Sequence, residues 1–135
     1  SDPQPGVLGY GTKVVTRTEV VDGQTIEYWR KISVYATSYA PCKQGYSYCT
    51  TATASGIPLE KGIVAVLVSW YRDMKFQSVY IPGYGYGTIA DTGGGIPGRP
   101  WIDLGFSEED YESWHFWTTM YFLTPVPTYI PYLLP

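Results

Sequence analysis

The chain contains a single histidine, His115, and only 16% of its 135 residues are charged. One histidine nearly excludes a catalytic triad of nucleophile, histidine and acid, and with two cysteines it leaves too few ligands for a zinc site of the Cys/His kind. The formal net charge is -3 without a basic patch, which argues against nucleic acid and anionic membranes as partners. No apolar run approaches the roughly 18 residues of a membrane helix, so no membrane span is predicted.

Aromatic residues are abundant, at 17% of the chain, and 14 of them are tyrosines. A length of 135 residues suits one domain, and a hydrophobic content of 44% excludes a disordered chain. Aromatic rings with polar edges suit short strands packed into a barrel, and they also suit surfaces that bind carbohydrate. Most of these rings are expected to be ordinary core.

The two cysteines, Cys42 and Cys49, lie in a loop rich in glycine, tyrosine and serine. Their spacing is too wide for a redox-active CxxC pair and would close a small loop. We interpret them as a disulfide, which predicts an extracytoplasmic, oxidising location. The alternative is two free thiols.

Alternating hydrophobic and polar residues predict a mostly β fold. Two such runs, 12–20 and 25–30, flank Asp22-Gly23, a dipeptide typical of hairpin turns. Ser107 followed by Glu108, Glu109 and Asp110 predicts a short helix to about Phe116, which would make His115 a structural residue. With no strand–helix alternation, the pattern favours a small closed barrel. The further strands are expected at 31–39, 63–70, 77–81, 88–90, 101–104 and 117–123.

Asp91 and Asp103 are the candidate catalytic residues. Each lies at the end of a short strand in an apolar, aromatic and glycine-rich segment, where desolvation would raise the pKa of a carboxyl group and make it a proton donor. Cleavage of a glycosidic bond requires such an acid and a second group that supports the oxocarbenium-like state. The alternative is that both are turn residues that bond to their own backbone. The predicted substrate-binding residues around them are Tyr84, Gly85, Tyr86, Gly93 and Trp101.

The segment VYIPGYGYGTIADTGGGIPGRPWIDLGF, residues 79–106, resembles the three-aspartate (3D) domain of bacterial cell-wall proteins. YATSY (35–39), TASG (53–56) and GIVAV (62–66) resemble it too, so the similarity covers about 34–123. The preceding residues 12–32 are similar to the β segment that often leads into such domains. The resemblance implies a six-stranded double-psi β-barrel related to MltA-type lytic transglycosylases and to resuscitation-factor-like stationary-phase proteins.

The implied reaction is non-hydrolytic cleavage of the MurNAc–GlcNAc β-1,4 bond of peptidoglycan, without metal or cofactor. Asp103, in IDLGF, matches the family's general acid, and Asp91, in DTGG, matches the second aspartate that orients it. Thr53 and Tyr84 match positions near the groove. The family's first aspartate follows the VAV strand, but here Leu67 follows. Asp73 is the acid that could replace it, although its neighbours Arg72 and Lys75 favour a solvated turn.

The expected organisation is a linker (1–11), an N-terminal β-hairpin extension (12–33), a 3D-type barrel (34–124) and a proline-rich tail (125–135). The expected function is a secreted or cell-wall-associated bacterial lytic transglycosylase that acts on peptidoglycan glycan strands. The alternatives are a non-catalytic glycan-binding module and a glycoside hydrolase on the same barrel. A monomer or a strand-swapped dimer is expected.

Overall fold

The computed structural model describes residues 14–93 and 100–128. Seven strands and one helix follow each other along these residues. The predicted linker (1–11), much of the glycine-rich loop after Asp91 and residues 129–135 of the tail lie outside the described residues. The elements are β1 (Arg17–Val21), β2 (Gln24–Tyr39), β3 (Ile63–Val66), α1 (Val68–Met74), β4 (Ser78–Ile81), β5 (Gly85–Thr92), β6 (Trp101–Gly105) and β7 (His115–Leu123).

Six strands form a closed barrel, in the order β2-β6-β3-β5-β4-β7, and the pairing of β7 with β2 completes the ring. β2 runs parallel to β6, and β3 runs parallel to β5, whereas the other barrel pairs are antiparallel. β1 pairs with β2 outside the ring. The prediction of a mostly β protein with a six-stranded barrel, a hairpin extension and one short helix is therefore confirmed.

The hairpin of β1 and β2 turns at the predicted Asp22-Gly23, where both residues have positive φ, 52° and 77°. Positive φ at both central positions gives the turn whose twist matches that of paired strands. The second predicted run and the next predicted strand are one continuous strand, the 16-residue β2. β2 therefore belongs to the hairpin and to the barrel.

Side chains of the outer hairpin bond to the barrel. The Asp22 carboxylate accepts hydrogen bonds from the Tyr80 hydroxyl (2.9 Å) and the Gly83 amide (2.8 Å). The Glu19 carboxylate accepts hydrogen bonds from Tyr121 (2.8 Å) and Tyr28 (3.1 Å), and these bonds lower the pKa of Glu19. A small apolar cluster that includes Ile26, Tyr80 and Tyr121 lies beneath these contacts.

The predicted helix at 107–116 is wrong. Ser107 donates hydrogen bonds from its amide and its hydroxyl to the Asp110 carboxylate, both at 2.8 Å, which closes a turn, and β7 already begins at His115. His115 is an exposed residue of that strand. The one described helix is α1, which begins inside the segment 63–70 predicted to be a strand. That prediction is wrong there because a short apolar run does not distinguish a buried strand from a buried helix. Trp70 and Met74, four residues apart, lie on its buried face.

The main core fills the barrel with aliphatic side chains that alternate along the strands, among them Val34, Val64, Ile89 and Leu104. A third cluster lies on the outer wall of the barrel, under the segment that follows the cysteine loop, and consists of Tyr39, Leu59, Ile63, Ala65 and Ala90. Within the described ranges, no helix has the length and apolar character required to cross a bilayer.

Candidate active site

Asp91 and Asp103 come together because both strands that carry them pair with β3. Ala65 of β3 is in register with Asp103 of β6 on one side and with Asp91 of β5 on the other. Registered partners point to the same face of a sheet, and neighbouring strands lie about 4.8 Å apart. The two carboxyl groups therefore flank the methyl group of Ala65 on one face of the barrel wall.

A register shift in β5 gives Asp91 this orientation. Val64 pairs with Ile89, but the next residue, Ala65, pairs with Asp91, so that Ala90 is an extra residue in β5. Ile89 lies in the barrel core, and regular alternation would place Asp91 on the core side as well. An irregularity of this kind redirects a side chain, and here it places the carboxyl group outside the barrel.

The two aspartates line one cleft of about 370 Å³. Ala65 forms part of its floor, and residues from the segment between β2 and β3 form its walls. The described lining residues include no lysine, arginine or histidine, so the two carboxyl groups are the charged groups among them. The described lining consists of Tyr39, Gln44, Tyr46, Ala52, Thr53, Ala54, Ala65, Asp91, Thr92, Gly93 and Asp103.

Asp91 is buried, at 8% exposure, and protein groups bond to both of its oxygens. Oδ1 accepts the backbone amides of Ala54 and Thr92, each at 2.8 Å, and Oδ2 accepts the Tyr39 hydroxyl at 2.7 Å. Burial and the negative charge of Asp91 raise the pKa of Tyr39, so its hydroxyl stays protonated and continues to donate. Asp91 is thus a fixed hydrogen-bond acceptor that links β2, β5 and the segment around Ala54.

Asp103 is partly buried and has a different environment. Its Oδ1 accepts a hydrogen bond from the Thr37 hydroxyl at 3.0 Å, and Thr37 in turn accepts the indole N–H of Trp101 at 2.9 Å. Burial raises the pKa of Asp103 to about 6, the Thr37 hydrogen bond opposes this rise, and the charge of Asp91 adds to it. Near neutral pH, Asp103 therefore exists as a mixture of acid and carboxylate, which suits a group that donates and then recovers a proton.

The predicted substrate-binding residues divide into two groups. Thr53 and Gly93 line the cleft, and Trp101 lies next to it through its bond to Thr37. Tyr84 is buried in the core, where its hydroxyl bonds to Gly62 and Gly105, each at 2.6 Å. Gly85 has a φ of 108° at the start of β5, and Tyr86 lies in a separate groove with Thr88 and Thr124. The structure therefore brings Thr53, Gly93 and Trp101 to the acids and leaves the other three elsewhere.

Asp73, the acid considered as a replacement for the missing first aspartate, is an exposed residue of α1 and lines another groove with Phe76 and Leu123. It does not line the cleft of Asp91 and Asp103. Leu67, at the position where the resemblance implies an acid, packs against the main core. Two carboxyl groups, rather than three, are therefore present in the described lining.

Sequence reasoning missed four residues that complete the site: Thr37, Tyr39, Ala54 and Tyr46. Thr37 and Tyr39 belong to the YATSY segment, and their spacing of two along β2 was a signal that both point to one face. Ala54 contributes only a backbone amide, and no side-chain pattern reveals such a role. Tyr46 comes from the loop between the cysteines, where the predicted disulfide between Cys42 and Cys49 is confirmed.

No family model matches the sequence, and no match was found among curated proteins or solved structures. The described residues also contain no group of three or more histidine, cysteine or acidic residues arranged to hold a metal ion. The chemistry of the site is therefore considered from its own geometry, as two unlike carboxyl groups in one cleft.

Proposed function

We propose that the chain is a peptidoglycan lytic transglycosylase of the 3D type, which cleaves the MurNAc–GlcNAc β-1,4 bond and leaves 1,6-anhydro-MurNAc ends. One observation carries the proposal. Asp103, whose pKa is raised to about 6, shares a cleft with Asp91, whose two oxygens are both occupied by protein donors. This asymmetry provides one mobile proton and one fixed acceptor.

In the proposed reaction, the protonated Asp103 gives its proton to the glycosidic oxygen, and the bond between that oxygen and the MurNAc anomeric carbon breaks. Positive charge develops on the sugar ring, and the carboxylate of Asp91 favours it electrostatically. Asp103, now a carboxylate, removes the proton of the MurNAc 6-hydroxyl, and the oxygen of that hydroxyl attacks the anomeric carbon. The acid is regenerated, and no water is consumed.

The hydrogen bonds of Asp91 favour this reaction over hydrolysis. A glycoside hydrolase uses its second carboxylate as a nucleophile or as a base for water, which requires a free oxygen. Asp91 has three protein donors on its two oxygens, so supporting Asp103 is the role that its surroundings favour.

A glycan-binding module without turnover is the second candidate. The observation that favours it is Leu67, a partly buried apolar residue that packs against the core at the position where the 3D family carries an acid. Both candidates place the protein at peptidoglycan, outside the cytoplasm of a bacterium, and the disulfide supports such a location because these bonds persist in oxidising compartments.

Digestion of purified peptidoglycan tests the proposal. Mass spectrometry of the soluble products should show anhydro-muropeptides, whereas reducing-end sugars would indicate a hydrolase, and binding without products would indicate the module. Asp103→Asn should lower product release by about a thousandfold, within the usual contribution of a general acid. Asp73→Asn is the matched control, because it makes the same change at an exposed site outside the cleft and should leave activity intact.

A further inference from the structure

We infer that the disulfide-closed loop 42–49 is a substrate-binding wall of the acid cleft, in which Tyr46 stacks on a sugar ring of the glycan strand next to the scissile bond. The inference rests on the proposed function for the identity of the sugar. It assigns to this loop a role that depends on the oxidation state of Cys42 and Cys49.

The loop is fastened at its base. The disulfide joins its ends, the Cys42 amide donates to the Glu108 carboxylate at 2.6 Å, and Lys43 forms an ion pair with the same carboxylate. The Gln44 side-chain amide donates to the carbonyls of Pro41 (3.1 Å) and Thr50 (2.9 Å). These contacts fix where the loop leaves the barrel and therefore where its tip stands relative to the acids.

Two tyrosine rings form the outer part of the loop. Tyr46 and Tyr48 stack in parallel, with ring centroids 5.2 Å apart and an interplanar angle of 5°. They remain 57% and 62% exposed, so their faces are not used by the core. Tyr46 lines the cleft together with Asp91 and Asp103, and Tyr48 lies against its ring. A large apolar face beside a polar cleft is a suitable surface for a ligand that has one apolar face and polar edges.

A pyranose ring is such a ligand, because its C–H groups form an apolar face and its hydroxyl groups project from the edges. Tyrosine offers an extended face with few rotatable bonds, so ordering it on binding costs little entropy. With one sugar face on Tyr46, the polar edge of the ring is directed to the carboxyl groups in the same cleft. The loop would then position the strand without taking part in proton transfer.

The disulfide holds this wall in place. Reducing the disulfide separates the two ends of the loop. Gly45, which has a φ of 86°, and both tyrosines can then adopt more conformations. Reduction should therefore weaken glycan binding while the barrel, which contains no other cysteine, stays folded.

The test combines kinetics with binding. Tyr46→Ala should raise the KM for soluble glycan strands about tenfold with little change in kcat, and Cys42→Ser/Cys49→Ser or a phosphine reductant should do the same. Phe76→Ala, which removes a similarly exposed ring from the groove that Asp73 lines, should leave the KM unchanged. The same variants in an Asp103→Asn background are measured for binding to the glycan strands by calorimetry, and circular dichroism checks the fold.

Two failures are then distinguishable. If the wild type releases no anhydro-muropeptides but Tyr46→Ala weakens binding about tenfold, the proposed function falls and the binding wall stands. If Tyr46→Ala and the cysteine variant leave KM and binding at wild-type values in folded protein, the binding wall is overturned, whatever the activity.

Discussion

Asp91 and Asp103 both pair with Ala65, one from each side, yet their carboxyl groups have different surroundings. Among the described residues, Asp91 is buried with three protein donors, whereas Asp103 has one side-chain donor, the hydroxyl of Thr37. The difference follows from the strands themselves, since β5 lies against the segment around Ala54 and β6 lies against β2. In the proposed reaction, this difference makes Asp103 the residue that transfers the proton and Asp91 the residue that supports it.

Asp91→Asn removes the negative charge that raises the pKa of Asp103. Asp103 must be protonated to act as the acid, so activity should fall as the pH rises through about 6 in the wild type. The variant should show this fall at lower pH, and its activity at pH 7 should decrease by about tenfold for each unit by which the pKa of Asp103 falls. The rate of anhydro-muropeptide release, measured against pH, checks this. A descending limb at the wild-type position would contradict the electrostatic role of Asp91.

Thr37→Val should move the descending limb of the pH–activity profile to higher pH. The Thr37 hydrogen bond stabilises the carboxylate and lowers the pKa of Asp103, so its loss leaves the pKa higher. The change also removes the acceptor of the Trp101 indole N–H. Thr37→Ser keeps the hydroxyl and is the control, with a limb at the wild-type pH. Equal profiles for the serine and valine variants would show that the hydrogen bond does not tune the acid.

The raised pKa of Asp103 also has a consequence for stability. Its folded-state pKa of about 6 exceeds the ordinary value of 3.8, so the folded protein favours the protonated form. Relative to Asp103→Asn, the wild type should lose stability as the pH rises from about 4 to about 6, by up to about 3 kcal/mol. Urea unfolding of both proteins at several pH values measures the difference. A difference that stays constant over this window would show that Asp103 is not desolvated.

Gly105 allows β6 to approach β3 closely. A Cβ atom at this position would lie 2.5 Å from the Ile63 carbonyl oxygen and 2.8 Å from a Leu59 methyl group. Gly105→Ala should therefore lower the free energy of unfolding by more than about 2 kcal/mol, because a backbone oxygen has to move. Gly45→Ala, at an open position with a φ of 86°, isolates the cost of positive φ alone and should lose about 1 kcal/mol. Thermal unfolding measures both losses. Equal losses of unfolding free energy in the two variants would contradict a steric cost at Gly105.

Some local signals predicted the local structure correctly, but the capping pattern from Ser107 to Asp110 predicted a helix where the chain forms a turn. Asp22-Gly23 determines a hairpin by its own conformational preference, and Asp91 and Asp103 stand out by the residues next to them. Neighbouring residues in the sequence reveal neither the hydrogen-bond partners of Asp91 nor the register shift at Ala90, because both depend on which strands pair. The apolar run that contains Leu67 and Ser69 changes from strand to helix. This change depends on the packing of Trp70 and Met74 in the main core, which the run itself does not reveal.

The pairing of β2 with β7 has a consequence for how the protein is made. β2 is an early strand and β7 is the last described one, and their ladder is what closes the ring. Until β7 emerges during synthesis, β2 and β4 each have an unpaired edge, and such edges favour association with other chains. The barrel therefore cannot close while its chain is still growing through the earlier strands. Shortening the chain before β7 should therefore yield aggregates rather than a smaller folded unit.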